Sequence, residues 1–272
     1  MTEWRLIRTG FEDAFTNMAT DEAILNFRSK GAVPNTVRFY QWKPSAVSLG
    51  FSQQVDQEID VESCRRLGID IVRRPTGGGA VFHDSAGELT YSIVTGLESV
   101  PSDLISSYDY LCRGIVLGCR ELGLEAQLSF DEKGRQCPNI TIQGKKISGG
   151  AQTRTRNALL QHGTILLDSN LETMTEILKM GLSKTCIPIE KLQTKVTTLR
   201  KMLRKPVSFK EVEDSLRTGF EKALNMKLSI QNLSSNELEL SSRLRFQKYT
   251  TNDWNFARQS DWNQARRYEE VD

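Results

Sequence analysis

Arg73-Arg74-Pro75-Thr76-Gly77-Gly78-Gly79-Ala80-Val81-Phe82-His83-Asp84 lies between two β-rich runs, residues 69–72 before it and residues 89–94 after it. Three consecutive glycines let backbone N–H groups come close to an anion. The two arginines bring fixed positive charge that can fork onto a carboxylate or phosphate. The same composition also suits a wide turn with solvated arginines. The run matches neither G-x-G-x-x-G nor G-x-x-x-x-G-K-S/T, so the common dinucleotide and NTPase loops are not its model.

Upstream, residues 17–27 place Met18, Ala19, Ala23, Ile24 and Phe27 at helical spacing, with Gly31 and Pro34 as the stop. Residues 36–40 and 46–49 read as neighbouring strands around a turn at Lys43-Pro44-Ser45. Residues 60–67 read as a short helix ended by Gly68, and residues 80–82 and 89–94 as a hairpin with a long turn. Downstream, residues 103–122 form a helical pattern with Ser102 as its cap, and residues 130–139 read as a mobile loop. Short strands at 140–142 and 147–148 flank a turn at Gly144-Lys145-Lys146, and a further strand covers 160–167. Helices are expected at 171–180, at 209–224 behind Ser208, and at 237–247, with a closing strand at 226–230. This order implies an α+β fold, a mixed β-sheet sandwich flanked by helices, rather than regular βαβ alternation.

The 272 residues carry 36 Lys+Arg against 34 Asp+Glu, a net +2, with 26% charged and 38% hydrophobic residues. That composition excludes a disordered or strongly basic nucleic-acid-binding chain. Apolar runs are too short for a membrane span. Five cysteines without a CxxC pair, and no apolar leader, place the expectation in a reducing cytoplasm. The two histidines, His83 and His162, have no partner at metal-ligand spacing, so any metal is expected to be a hard cation held with a phosphate.

The second chemical motif is Gly144-Lys145-Lys146-Ile147-Ser148-Gly149-Gly150-Ala151-Gln152. Strand alternation sends the two lysines to opposite faces, so one of them can point toward whatever the triple glycine holds. A solvated basic hairpin tip is the other reading. Together with Gln161-His162-Gly163-Thr164, these segments resemble the lipoate-protein ligase and octanoyltransferase family, within the superfamily that also contains the biotin protein ligases. The likeness runs from Asn17-Met18-Ala19-x-Asp21-Glu22 and Arg38-Phe39-Tyr40 through Gly50-Phe51-Ser52-Gln53 to HGTILLD.

The resemblance implies the ligase catalytic-domain fold over residues 1–247. Residues 248–272 would form a tail like the linker to an accessory domain. Lys146 would be the catalytic cation between acyl carbonyl and phosphate. Arg74, Thr76, Gly77, Gly78, Gly79 and His83 would bind lipoate or its adenylate together with Ser148, Gly149, Ala151, His162, Gly163 and Thr164. ATP and Mg2+ would be cofactors, lipoate or octanoate the substrate, and Asn139 a candidate metal contact. The acceptor would be a lipoyl carrier domain, such as a 2-oxoacid dehydrogenase E2 or a glycine cleavage H protein.

Lys248-Tyr249-Thr250-Thr251-x-x-Trp254-Asn255 resembles the end of archaeal-type ligase large domains, which favours an ATP-dependent ligase and a separate accessory-domain subunit. Two features point the other way. Pro138-Asn139 stands where ligases carry Asn-Asp, and Glu88–Ser92 resembles the transferase form. The alternative is therefore an octanoyl-carrier-protein transferase with Cys137 as nucleophile, although the spacer from Cys137 to Gly144 is shorter than that class carries. Cys186 is a weaker candidate. A non-catalytic lipoyl-binding subunit is a third reading.

Overall fold

The structure is a computed structural model that describes residues 2–130, 138–180, 185–186 and 188–257. Strand β1 (Thr2–Glu12), helix α1 (Ala14–Ser29) and strand β2 (Thr36–Trp42) form a parallel βαβ unit. The Asp13 side chain accepts from the Thr16 amide and so caps α1. Strand β3 (Ala46–Leu49), helices α2 (Val55–Glu58) and α3 (Val61–Arg66), and strands β4 (Asp70–Arg73) and β5 (Val81–His83) then build a separate three-stranded sheet, ordered β4-β3-β5.

Strand β6 (Glu88–Gly96), helix α4 (Leu104–Glu121) and strands β7 (Ala126–Ser129), β8 (Asn139–Ile142), β9 (Lys145–Arg154) and β10 (Ala158–Leu166) return the chain to the main sheet. Helix α5 (Leu171–Ile177), a two-residue ladder of β11 (Lys179–Met180) and β12 (Thr185–Cys186), and helices α6 (Ile189–Lys195) and α7 (Leu199–Leu203) follow. Leu171, Met174, Ile177 and Leu192 pack on Val47 and Leu49 and so cover the small sheet. Helix α8 (Phe209–Leu224), strand β13 (Met226–Ile230) and helices α9 (Ser235–Leu244) and α10 (Asn252–Phe256) close the fold. The eight-stranded main sheet runs β13-β1-β2-β6-β10-β9-β8-β7. No helix among the described residues is long and apolar enough to cross a membrane.

The mixed sheet with flanking helices is the α+β architecture read from the sequence, but two strand pairings differ. Strands β2 and β3 are not neighbours, and β5 and β6 are not a hairpin: each pair is split between the two sheets. The connections at residues 43–45 and 84–87 carry the chain across from one sheet to the other. A local turn signal cannot distinguish that crossing from a hairpin. Burial does distinguish it, since every residue of β2 and of β6 is buried, as befits central strands.

Smaller differences have local causes. Asp103, not Ser102, caps α4 by accepting from the Ser106 amide. The β8–β9 turn is Gln143-Gly144, both at positive φ, so Lys145 and Lys146 already belong to the strand. Strand β9 also continues through Gly149-Gly150 to Arg154, beyond the strand expected at 147–148.

Residues 248–257 are built into the body of the domain. Tyr249, Trp254 and Asn255 are buried. The guanidinium of Arg73, fully buried, donates to the Trp254 and Asn255 carbonyls and to those of Gly50, Phe51 and Gln53. Trp254 returns its indole N–H to the Arg73 carbonyl at 2.8 Å. The boundary set at 247 therefore coincides with no break in packing; residues 258–272 lie outside the described residues.

Candidate active site

Strand register assembles the site. Pairing of β2, β6, β10 and β9 aligns Arg38, Ser92, His162 and Ala151 in one cross-strand row. Tyr40, Thr90, Thr164 and Gly149 align in the row two residues along. Side chains alternate, so the intervening residues Phe39 and Tyr91 face the opposite way. There they pack with Leu111 and Ile115 of α4 and Leu216 and Phe220 of α8. The polar face is covered by α1 and the small sheet. Between them lies a cavity of about 500 Å3, within the ~300–1,000 Å3 range of small-ligand sites. Its closed end is formed by the buried Met18, Tyr40 and Trp42. Its open end carries Gly78, Gly79, Asn139, Lys146, Gly149 and Gly150.

Two hydrogen-bonded chains run behind the walls, and each begins at a carboxylate. Burial alone would raise the pKa of Asp21. The buried Arg38 guanidinium at 2.8 Å, with His162 and Ser92, more than offsets this and holds the carboxyl below its usual value. Burial pushes the His162 pKa down despite Asp21, so the ring is neutral. A carboxylate only accepts, so Nδ1–H of His162 donates to Asp21 at 3.2 Å and Nε2 accepts from Thr76 Oγ1 at 2.7 Å. Tyr40, its phenol pushed well up by burial and by Asp21, donates to Oδ2 of the same carboxylate, the oxygen that also takes His162, while Arg38 and Ser92 hold Oδ1.

The second chain mirrors the first. Glu88 accepts from Nδ1 of His83 at 2.7 Å and from Thr90, and Nε2 of His83 takes the Ser48 hydroxyl at 2.8 Å. Trp42 stacks on the His83 ring with centroids 3.9 Å apart. It also donates its indole N–H to Thr90.

Both chains end on Arg74. Its Nε donates to Thr76 Oγ1, Nη1 to the carbonyl and hydroxyl of Ser48, and Nη2 to the Gly77 and Gly79 carbonyls at 2.7 Å each. All five N–H donors of the guanidinium thus have protein acceptors. Arg74 lines the cavity and lends it positive charge, while its hydrogen bonds shape the glycine turn. Gly78 sits at φ +92°, a conformation that an L side chain strains to adopt.

Lys146 reaches the cavity from the main sheet, whereas Lys145 donates to the Gln193 carbonyl on α6. The register between β8 and β9 slips just after Lys146, leaving Ile147 as an extra residue directed into the core. The Lys146 amine passes over Gly149, where a Cβ would come within 2.7 Å of Nζ. The small residues of G-K-K-I-S-G-G-A therefore make room for the lysine.

Of the residues singled out in the sequence, Arg74, Gly78, Gly79, His83 and Lys146 line this one cavity, as do Asn139, Gly149, Ala151, His162, Gly163 and Thr164. Thr76 and Gly77 stand one layer behind, bonded to Arg74. Ser148 is buried beside the bulge, and its hydroxyl has no hydrogen-bond partner among the described residues. Cys137 lies outside the described residues. Cys64, Cys112 and Cys119 are buried; burial pushes the Cys64 thiol up to about 11 and the Cys119 thiol to about 12, which leaves them poor nucleophiles.

Sequence reasoning gave no role to Asp21, Ser48, Glu88 or Thr90, nor to the aromatic floor. The signal for Asp21 was the i, i+3, i+4 apolar pattern of α1, which puts an acid on the buried stripe with Met18.

The model of the lipoyl protein ligase A/B catalytic domain matches residues 13–221. The octanoyltransferase LipM of Kyrpidia tusciae is 37% identical, with 94% of this chain and 99% of that protein covered. The octanoyltransferase LipM of Bacillus subtilis is 31% identical, with 94% and 98% covered. Among solved structures, the bipartite lipoate protein ligase of Thermoplasma acidophilum superposes with a TM-score of 0.82 at 28% identity, covering 94% of this chain and 97% of that one. Lipoate-protein ligase A bound with ATP gives 0.83 at 27% identity, covering 94% and 99%. With the cavity and its glycine turn, these likenesses identify the chain as an enzyme of the lipoate ligase and octanoyltransferase type, and it belongs to the lipoyl protein ligase A/B catalytic domain family.

Proposed function

We propose that this chain is an octanoyltransferase that moves an octanoyl group from a carrier-protein thioester to a lysine of a lipoyl carrier domain, with Cys137 as the intermediate acceptor. The observation that carries this reading is the near full-length similarity to proteins named octanoyltransferase LipM. The Cys137 thiol gives up its proton as its sulfur attacks the thioester carbonyl, the bond to the carrier sulfur breaks, and that sulfur leaves with the proton Cys137 released. The acceptor amine then attacks the acyl-Cys137 carbonyl, the new C–N bond replaces C–S, and the amine proton passes to the departing cysteine. Each step places negative charge on the carbonyl oxygen. The Lys146 amine at the cavity mouth is the group that meets it. Cys137 stands two residues before Asn139, which lines the same mouth.

The ligase reading draws on the ATP-bound neighbour. The donor set here does not fit a Mg2+–nucleotide centre. Among the described residues no carboxylate lines the cavity, since Asp21 and Glu88 are bonded to Arg38, Tyr40, Ser92 and His162 and to His83 and Thr90 respectively. Asn139 offers a lone amide oxygen. The Trp254-Asn255 motif, which favoured a ligase in sequence, is explained by the Arg73 clamp and so does not require an accessory subunit.

Intact-mass analysis of an apo lipoyl domain tests the choice. Octanoylation with octanoyl carrier protein and no ATP is expected, and Cys137→Ser should abolish it. Modification only with lipoic acid, ATP and Mg2+ would establish the ligase instead.

A further inference from the structure

The net charge of +2 conceals an uneven distribution. Residues 188–205, spanning α6 and α7, hold six cations against the single acid Glu190, a net +5, so the remainder of the chain is −3. This basic segment is fastened to the strand that carries Lys146. Thr197 N donates to the Lys146 carbonyl at 2.9 Å, Val196 forms a β-bridge with Lys146, and Lys145 Nζ holds the Gln193 carbonyl.

Beside α7 lies a second cleft, of about 480 Å3, whose lining sets four cations, Arg200, Lys201, Arg204 and Lys205, against two carboxylates, Asp168 and Glu172, together with hydroxyl residues such as Thr198. All four cations are exposed. Arg200 pairs with Asp168, whereas Lys201 and Arg204 make no ion pair among the described residues.

We propose that this cleft docks the acyl donor, an acidic carrier protein whose acyl arm is attached through a phosphodiester; the inference rests on the transferase reading above. Arginine and lysine side chains backed by hydroxyls are the donor set that holds a phosphodiester. The direct backbone link from Thr197 to Lys146 puts that anchor next to the cavity mouth at which the thioester must arrive. The acceptor brings an ammonium group at its tip, which a cleft of net positive charge repels. The donor brings an anion, which it attracts. Complementarity of this kind acts chiefly on the encounter rate and is screened by salt over about 10 Å at 0.1 M.

The test uses the full chain with Lys201→Glu and Arg204→Glu combined. KM for octanoyl carrier protein should rise about tenfold at low ionic strength and approach the wild-type value by about 0.5 M salt. KM for the apo lipoyl domain should be unchanged, as should the rate with octanoyl-pantetheine, which lacks the phosphate. The single change Lys201→Gln, which leaves the helix end intact, should raise the donor KM about threefold. An unchanged donor KM, or a rise confined to the lipoyl domain, would overturn the proposal. Calorimetric titration of octanoyl carrier protein onto wild type and variant reads docking without turnover. If the wild type binds the carrier through this cleft yet transfers nothing, the transferase reading fails and the docking surface stands.

Discussion

Arg74 and Lys146 bring positive charge to the same cavity from two different sheets, and they are held in contrasting ways. Arg74 is buried, and all five of its N–H groups are bonded to protein oxygens on the glycine turn, Ser48 and Thr76. Lys146 is half-buried, on a bulged strand, with its amine passing over a glycine at the mouth. A guanidinium fixed on five acceptors organises a wall. An amine on a flexible stem can meet charge that appears only during a reaction. The sequence motifs present both residues as basic positions near glycines, and only the hydrogen bonds separate the residue that builds the wall from the one proposed to meet the reacting carbonyl.

The largest effect should come from Lys146→Ala. Loss of a cation at the developing oxyanion is expected to slow acyl transfer about 10^3-fold, while circular dichroism and the melting temperature stay at wild-type values. Single-turnover octanoylation of the lipoyl domain measures the first and a thermal melt the second. A wild-type rate from a folded variant would remove Lys146 from the chemistry.

Arg74→Ala should act in the opposite sense, on the fold before the reaction. It leaves the Ser48, Gly77 and Gly79 carbonyls without their donor and strands the ends of both carboxylate–histidine–hydroxyl chains. A loss of about 3–5 kcal/mol in urea unfolding is expected. Arg74→Lys should recover little of it, because one ammonium cannot bridge acceptors on both sides of a planar fork. Equal stability of the alanine variant would show that the glycine turn holds its shape without Arg74.

The two glycine-rich segments sharpen the same contrast. A Cβ on Gly163 would lie 2.4 Å from the Gly149 carbonyl and 2.5 Å from the Tyr91 hydroxyl, whereas a Cβ on Gly79 meets nothing within 4 Å. Gly163→Ala is therefore expected to destabilise by about 1–3 kcal/mol, and Gly79→Ala to stay within about 0.5 kcal/mol of wild type. Matched urea titrations of the two variants decide it. The main-sheet glycines make room between strands, and Gly79 serves the shape of a solvent-exposed rim.

These contrasts mark how far the sequence could be read. Helices α1, α4 and α8 were legible because their apolar residues repeat at helical spacing, while of their caps only Ser208 of α8 was read correctly. The gathering of Arg74, His83, Lys146 and His162 at one cavity was legible only through resemblance, because their separations in sequence carry no geometric information. Strands β2 and β3 were misjoined because a turn signal fixes a reversal but not which sheet receives the next strand. Asp21 and Glu88 went unassigned for a related reason: an acid buried against a histidine reads, in sequence, like any solvated acid. Their partners His162 and His83 lie 141 and 5 residues away, and in neither case does the spacing announce the pair.

The smallest effect, and the one that isolates the Asp21–His162 half of the Arg74 support, is the dependence of stability on pH. Burial holds the folded His162 pKa below the ordinary value of 6.5, so the unfolded chain binds a proton there that the folded chain refuses. Stability must then fall as the pH drops below 6.5, by at most about 1.4 kcal/mol per pH unit for one proton, and stop falling once the folded ring also protonates. Asp21 has its pKa lowered on folding too, so its contribution is complete above 3.8 and is lost only as the pH falls through the folded value, further into acid. The two windows therefore open at different pH, 6.5 for His162 and 3.8 for Asp21. His162→Gln keeps a neutral donor for Asp21 and an acceptor for Thr76 but cannot take up a proton. Its unfolding free energy, followed from pH 7 to 5, should be flatter than that of the wild type while the acid limb below pH 4 persists. Parallel curves across the upper window would mean that burial does not hold the folded His162 pKa below its ordinary value.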